Sequence, residues 1–155
     1  MTFPDLLSNL LSLPLMWGVA LFSIIVHEGA HLIVARLCGM KVSEVHVCSG
    51  PRWSWQWGST SVKIGLAPSS VGHIMIPALN SAKHWQQALI YLAGPLAQTA
   101  IITPLCLSLY MTAPPFLGYT AAAYAIHYIV VNVNSALSSG QDLYEFGRCV
   151  WRAIR

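Results

Sequence analysis

The stretch His27-Glu28-Gly29-Ala30-His31 lies inside an otherwise apolar run from Leu13 to Leu37. Two histidines four residues apart share one helical face, about 6 Å apart along the axis. That spacing lets two imidazole nitrogens hold one Zn2+, with Glu28 beside it as general base. An ionisable side chain at mid-bilayer costs about 2.5–3.5 kcal/mol on insertion scales. Three polar groups within one turn of such a run therefore call for a function. The competing account is a cluster of hydrogen-bonded core histidines around a neutral glutamate.

The rest of the composition explains why the run is apolar. Of 155 residues, 55% are hydrophobic and only 8% are charged, and mean hydropathy is +0.59. Soluble domains carry nearer one quarter charged residues, so the chain is expected to be an integral membrane protein folded as a single domain over 1–155. Net charge is +3, but the eight basic residues form no single patch, which argues against nucleic acid as a partner. Cys38, Cys48, Cys106 and Cys149 form no CxxC pair and read as small buried or interfacial thiols. The apolar N-terminal run is too long for a cleavable signal peptide and carries the histidine motif.

Outward from the motif, Ser12-Leu13-Pro14 reads as a helix start, and the first span is expected over about 13–38, ending at Gly39. His31 precedes Arg36 by five residues, about 8 Å, so a metal would sit inside the membrane nearer this second face. Residues 41–77 alternate in the period of strands, through Val42, Val45 and Val47 and then Trp53, Trp55 and Trp57. Gly50-Pro51, Gly58-Ser59 and Gly72 punctuate them as turns. Three or four short strands would form a small membrane-associated β-sheet, its tryptophans at headgroup level. The second span is expected over 84–111, with Gly94-Pro95 at its middle and Gln98 one turn later. Glycine permits close backbone approach, and proline frees a carbonyl one turn earlier. A turn at Ala113-Pro114-Pro115 leads to the third span, about 116–138. The fold class is thus mainly α-helical, with three transmembrane helices and a small sheet between the first and second.

Charge placement orients these spans. Arg36, Lys41, Arg52, Lys63 and Lys83 fall between the end of the first span and the start of the second, and Arg148, Arg152 and Arg155 follow the third. The positive-inside rule then puts the N-terminus outside, with the sheet and C-terminus cytoplasmic. Two histidines need a further protein ligand. Asp142 is the leading candidate, because the third span must end on the side of His27 and His31, at the Ser138-Ser139-Gly140 break. Glu145 is a weaker rival, and His127 reads as an interhelical hydrogen-bonding residue.

Taken together, these segments resemble the site-2 protease family of intramembrane zinc metalloproteases. HEGAH resembles that family's first-span metal motif, CSGPRWSWQWGSTSVKIGLAPSSVGHIMI its β-region, and AGPLAQ its second-span Gly-Pro motif. Asn134 followed by Asp142 is similar to its third-span motif, with Leu137 and Leu143 standing where the family has proline and glycine. The resemblance implies a zinc metalloendopeptidase that cuts peptide bonds in or near transmembrane segments of membrane proteins. It implies one Zn2+ on His27, His31 and Asp142, with Glu28 catalytic. It also implies Asn134, Gly72 and His73 at the substrate, and Gly94, Pro95 and Gln98 as structural residues near the site. Substrate would add to the interfacial sheet as a strand. No PDZ-like insertion is present, so a substrate filter of that type would be missing or come from a partner such as a regulatory or adaptor membrane protein. The expected setting is a multi-pass protein of a prokaryotic cytoplasmic membrane. The alternative is a catalytically silent pseudo-protease that captures client helices, and a metal transporter is a more distant third.

Overall fold

A computed structural model describes residues 3–67, 72–138 and 140–155. The described elements run α1 (Phe3–Leu37), β1 (Glu44–Val47), β2 (Ser49–Trp57), β3 (Thr60–Ala67), β4 (His73–Met75), α2 (His84–Thr112), α3 (Pro115–Ser135) and α4 (Asp142–Ile154), with a 3-10 turn at Leu79–Ser81 before α2. Among the described residues, three segments are long and apolar enough to cross a membrane: Ser12–Leu37 of α1, α2 and α3. The chain is thus mainly helical, with an open four-stranded sheet between its first two spans, as its sequence predicts.

The apolar periodicity locates the spans, but the first begins differently. No helix starts at Ser12; α1 runs unbroken through Pro14. The lead is rich in leucine, a strong helix former, and proline removes only one hydrogen bond from a helix of 35 residues. At α3 the proline falls where its missing N–H costs nothing, with Pro115 in the first turn. The exposed surface of the spans carries Leu13, Leu15, Phe22, Ile33, Leu96, Leu107, Ile129 and Val133, apolar side chains suited to lipid. Between the helices, Met16 and Val19 pack against Ile102, Cys106, Leu117 and Ala121.

The sheet has the order β2-β3-β1-β4, with β1 parallel to β3 and antiparallel to β4, and β2 antiparallel to β3. Gly58-Ser59 connects β2 to β3 as expected, but Gly50-Pro51 lies within β2, where the register slips between Ser49 and Arg52. A bulge on an edge strand absorbs a proline that has no N–H to contribute. Gly72 adjoins residues 68–71, which, like Ser139, lie outside the described residues.

The sheet's two faces differ chemically. Val45, Val47, Val62 and Ile64 share one face, and Val45, Val47 and Ile64 pack with Leu32 and Ala35 of α1 and Ile90 of α2. Trp53, Trp55 and Trp57 stand opposite Ile64, Val62 and Thr60, so they extend this same apolar face, yet they are exposed. Arg36 ties the end of α1 to the strands: its guanidinium donates to Thr60 Oγ1 at 2.9 Å and lies 4.5 Å from the Trp57 ring centroid. The sheet therefore sits against the C-terminal end of α1. The other face carries Glu44, His46, Lys63 and His73.

Candidate metal centre

Three helices converge on His27 and His31. Both histidines stand on α1, where the four-residue spacing stacks their rings edge to face with centroids 4.8 Å apart. Asp142 comes from the first residue of α4, with Gly140 (φ +80°) and Gln141 turning the chain ahead of it. A helix N-terminus favours a carboxylate through its dipole. Asp142 Oδ2 lies 2.9 Å from His27 Nε2 and 3.1 Å from His31 Nε2, and the two Nε2 atoms are 3.1 Å apart.

The remaining ring nitrogens decide what this triangle suits. His27 Nδ1 donates to Gln98 Oε1 at 2.9 Å, and His31 Nδ1 donates to the Ile90 carbonyl at 2.6 Å. Those bonds place each neutral histidine's hydrogen on Nδ1 and leave a lone pair on each Nε2. Together with Asp142 Oδ2, three lone pairs face one another at about 3 Å. A single proton relieves one such contact; a cation relieves all three. Tetrahedral zinc with bonds of about 2.0–2.1 Å spaces its ligands about 3.3 Å apart. The chemistry and spacing of this donor set therefore fit Zn2+.

Glu28 is buried beside the triangle and is not one of the clustered donors. Its carboxyl backs onto Gly72: a Cβ built there would lie 2.7 Å from Glu28 Cδ, so any larger residue would displace the Glu28 carboxyl. Gly94 plays the same part from α2, since a Cβ at that position would meet Nε2 of both histidines, at 2.7 Å for His27. Pro95 is buried one residue on, its carbonyl accepting from Thr99 Oγ1 and the Tyr128 hydroxyl. The carbonyl that takes His31 is that of Ile90, one residue before the one that Pro95 frees.

Other candidates lie elsewhere. Glu145 accepts twice from Arg148 at 3.0 Å and once from the Gly140 N–H, so it joins no histidine. His127 is exposed on α3 rather than bonded between helices, because Tyr128, the next residue, takes the inward position. Asn134 is exposed on the last turn of α3. His73 meets His46 and Glu44 on the sheet's polar face. Leu137 is exposed in the turn after α3, and Leu143 continues the first turn of α4, where leucine is a better helix former than glycine. A buried partner went unseen in the sequence: Ser23, one turn before His27, accepts from Gln98 Nε2 and hydrogen-bonds Tyr124 of α3. Its four-residue offset from His27 was the available signal.

The sequence profile of Peptidase family M50 matches residues 17–148. The chain belongs to peptidase family M50, the site-2 protease family. No curated protein matches it. The M50 match runs from within the first apolar span through the sheet and the other two spans to beyond Asp142, and family membership makes the chain a membrane peptidase of a generally zinc-dependent family.

Proposed function

We propose that the chain is an active intramembrane zinc endopeptidase, hydrolysing peptide bonds in or near transmembrane segments of membrane protein substrates. The observation that carries this reading is the triangle of His27 Nε2, His31 Nε2 and Asp142 Oδ2, each histidine tied back through Nδ1. These three residues would hold one Zn2+, which supplies a Lewis acid and makes water nucleophilic near neutral pH. Glu28 takes a proton from the attacking water on its carboxylate and returns it to the leaving amine. Gln98 and the Ile90 carbonyl keep both imidazoles in the tautomer that offers Nε2. Gly94 and Pro95 shape the wall behind them, and Gly72 closes over Glu28.

Substrate recognition belongs to the sheet and to α3 in this reading. An unwound segment adds along the sheet edge beside Gly72 and His73, and Asn134 holds it at the exposed end of α3. The N-terminus is external, the sheet and C-terminus are cytoplasmic, and the membrane is a prokaryotic cytoplasmic one, where a regulatory or adaptor protein supplies any further substrate filter.

The test is Glu28→Gln in the full-length protein, with a helical membrane substrate co-expressed. Glutamine keeps the shape and removes the base, so zinc content should match the parent while cleavage falls at least 100-fold. Undiminished cleavage by the variant would end the mechanism. A parent that binds the substrate and never cuts it would favour the silent, client-capturing protein.

A further inference from the structure

A second cluster of metal-ligating side chains lies on the polar face of the sheet, apart from the helical site. His46 of β1 stands directly opposite His73 of β4, and Glu44 is two residues earlier on the same strand and face. The imidazoles meet edge to face with centroids 5.0 Å apart. One donor atom from each of Glu44, His46 and His73 lies within 4.8 Å of the others. We propose that these three residues form a second divalent-metal site, taking a borderline transition-metal ion such as Zn2+.

The donor set favours that class of ion: two imidazoles with one carboxylate suit zinc or copper and are poor for magnesium or calcium. Glu44 divides its oxygens between two partners. Oε2 accepts from Lys63 Nζ at 2.7 Å, while Oε1 faces His73 Nε2 at 3.8 Å. Lys63 thus orients the carboxylate from outside and leaves one oxygen toward the histidines. His73 is 47% exposed, so its ring can turn to close the donors around an ion.

Compared with the 2.9–3.1 Å triangle on the helices, this cluster is wider, more exposed and opposed by the Lys63 charge. It is therefore the weaker of the two. A metal there would join β1 to β4, and β4 begins immediately after Gly72, the residue against Glu28. The site would fix the one short strand that adjoins the general base.

The experiment is equilibrium dialysis of the full-length protein in detergent against Zn2+ alone, followed by elemental analysis. Wild type should take two equivalents, the second at least 10-fold weaker than the first. His46→Ala and His73→Ala should each take one, and Glu44→Gln should weaken the second by about 10-fold. Asp142→Asn should lose the tight equivalent and keep the weak one. A single equivalent in wild type, or a second equivalent surviving in both histidine variants, would overturn the proposal and leave Lys63–Glu44 as an ordinary surface ion pair. Retention of the tight equivalent by Asp142→Asn would instead count against the helical site.

Discussion

Gly94 occupies a place where two demands on one residue oppose each other. In a helix interior alanine is favoured over glycine by about 1 kcal/mol, and α2 runs uninterrupted through this position. The site asks the reverse, since a methyl there would press on both Nε2 atoms, at 2.7 Å from that of His27. Gly94→Ala should leave the thermal midpoint unchanged or slightly raised while zinc affinity falls about 10- to 100-fold in a chelator competition. Normal affinity in that variant would mean that α1 and α2 can part, and that Gly94 is no wall. The sequence made much of this legible, because HEGAH names its own chemistry and Gly94-Pro95 marks close packing. It did not reveal Ser23, because a four-residue offset from His27 marks a shared helix face but not that Gln98 reaches it. Nor did it reveal that His73 would sit with His46, because cross-strand pairing depends on a register that only the folded sheet fixes.

Among the elements, β2 carries the most unusual surface. Trp53, Trp55 and Trp57 continue the apolar face of Val62 and Ile64, yet they are 64%, 48% and 55% exposed. Indole favours the headgroup level of a bilayer, and the intervening Ser54 and Gln56 belong to the opposite face. In a variant retaining Trp55 alone, with phenylalanine at the other five tryptophans, emission should be quenched by lipids brominated near the headgroup. Moving that reporter one residue, to Ser54→Trp with Trp55→Phe, should abolish the quenching. Equal quenching at both positions would mean that the apolar face does not lie on the bilayer. Alternation along β2 was readable from its residues, and so were the three spans. The start of α1 was not, because Pro14 is a helix opener by local preference and is overridden by the continuous helix around it. The bulge at Gly50-Pro51 was hidden for a similar reason: the pair favours a turn, and pairing with β3 draws it into a strand instead.

At the scale of the molecule, the sheet and α4 lie at the same end of the bundle, because Asp142 meets the histidines of α1 and the sheet packs on the end of that helix. Cys149 and Gln87 fasten α4 to α2, the thiol donating to the amide oxygen at 3.3 Å. All eight lysines and arginines belong to this end. A reporter fused after Arg155 should therefore behave as cytoplasmic, and one inserted at Pro114-Pro115 as external. The reverse pattern would invert the orientation without disturbing the metal triangle. The triangle also has a history within each molecule's synthesis. Its carboxylate lies 111 and 115 residues after its two imidazoles. At about 5–20 residues per second, translation separates them by roughly 5–20 s. Through that interval the nascent chain has the pair of histidines but not the aspartate, so the proposed metal triangle cannot close until the last helices dock.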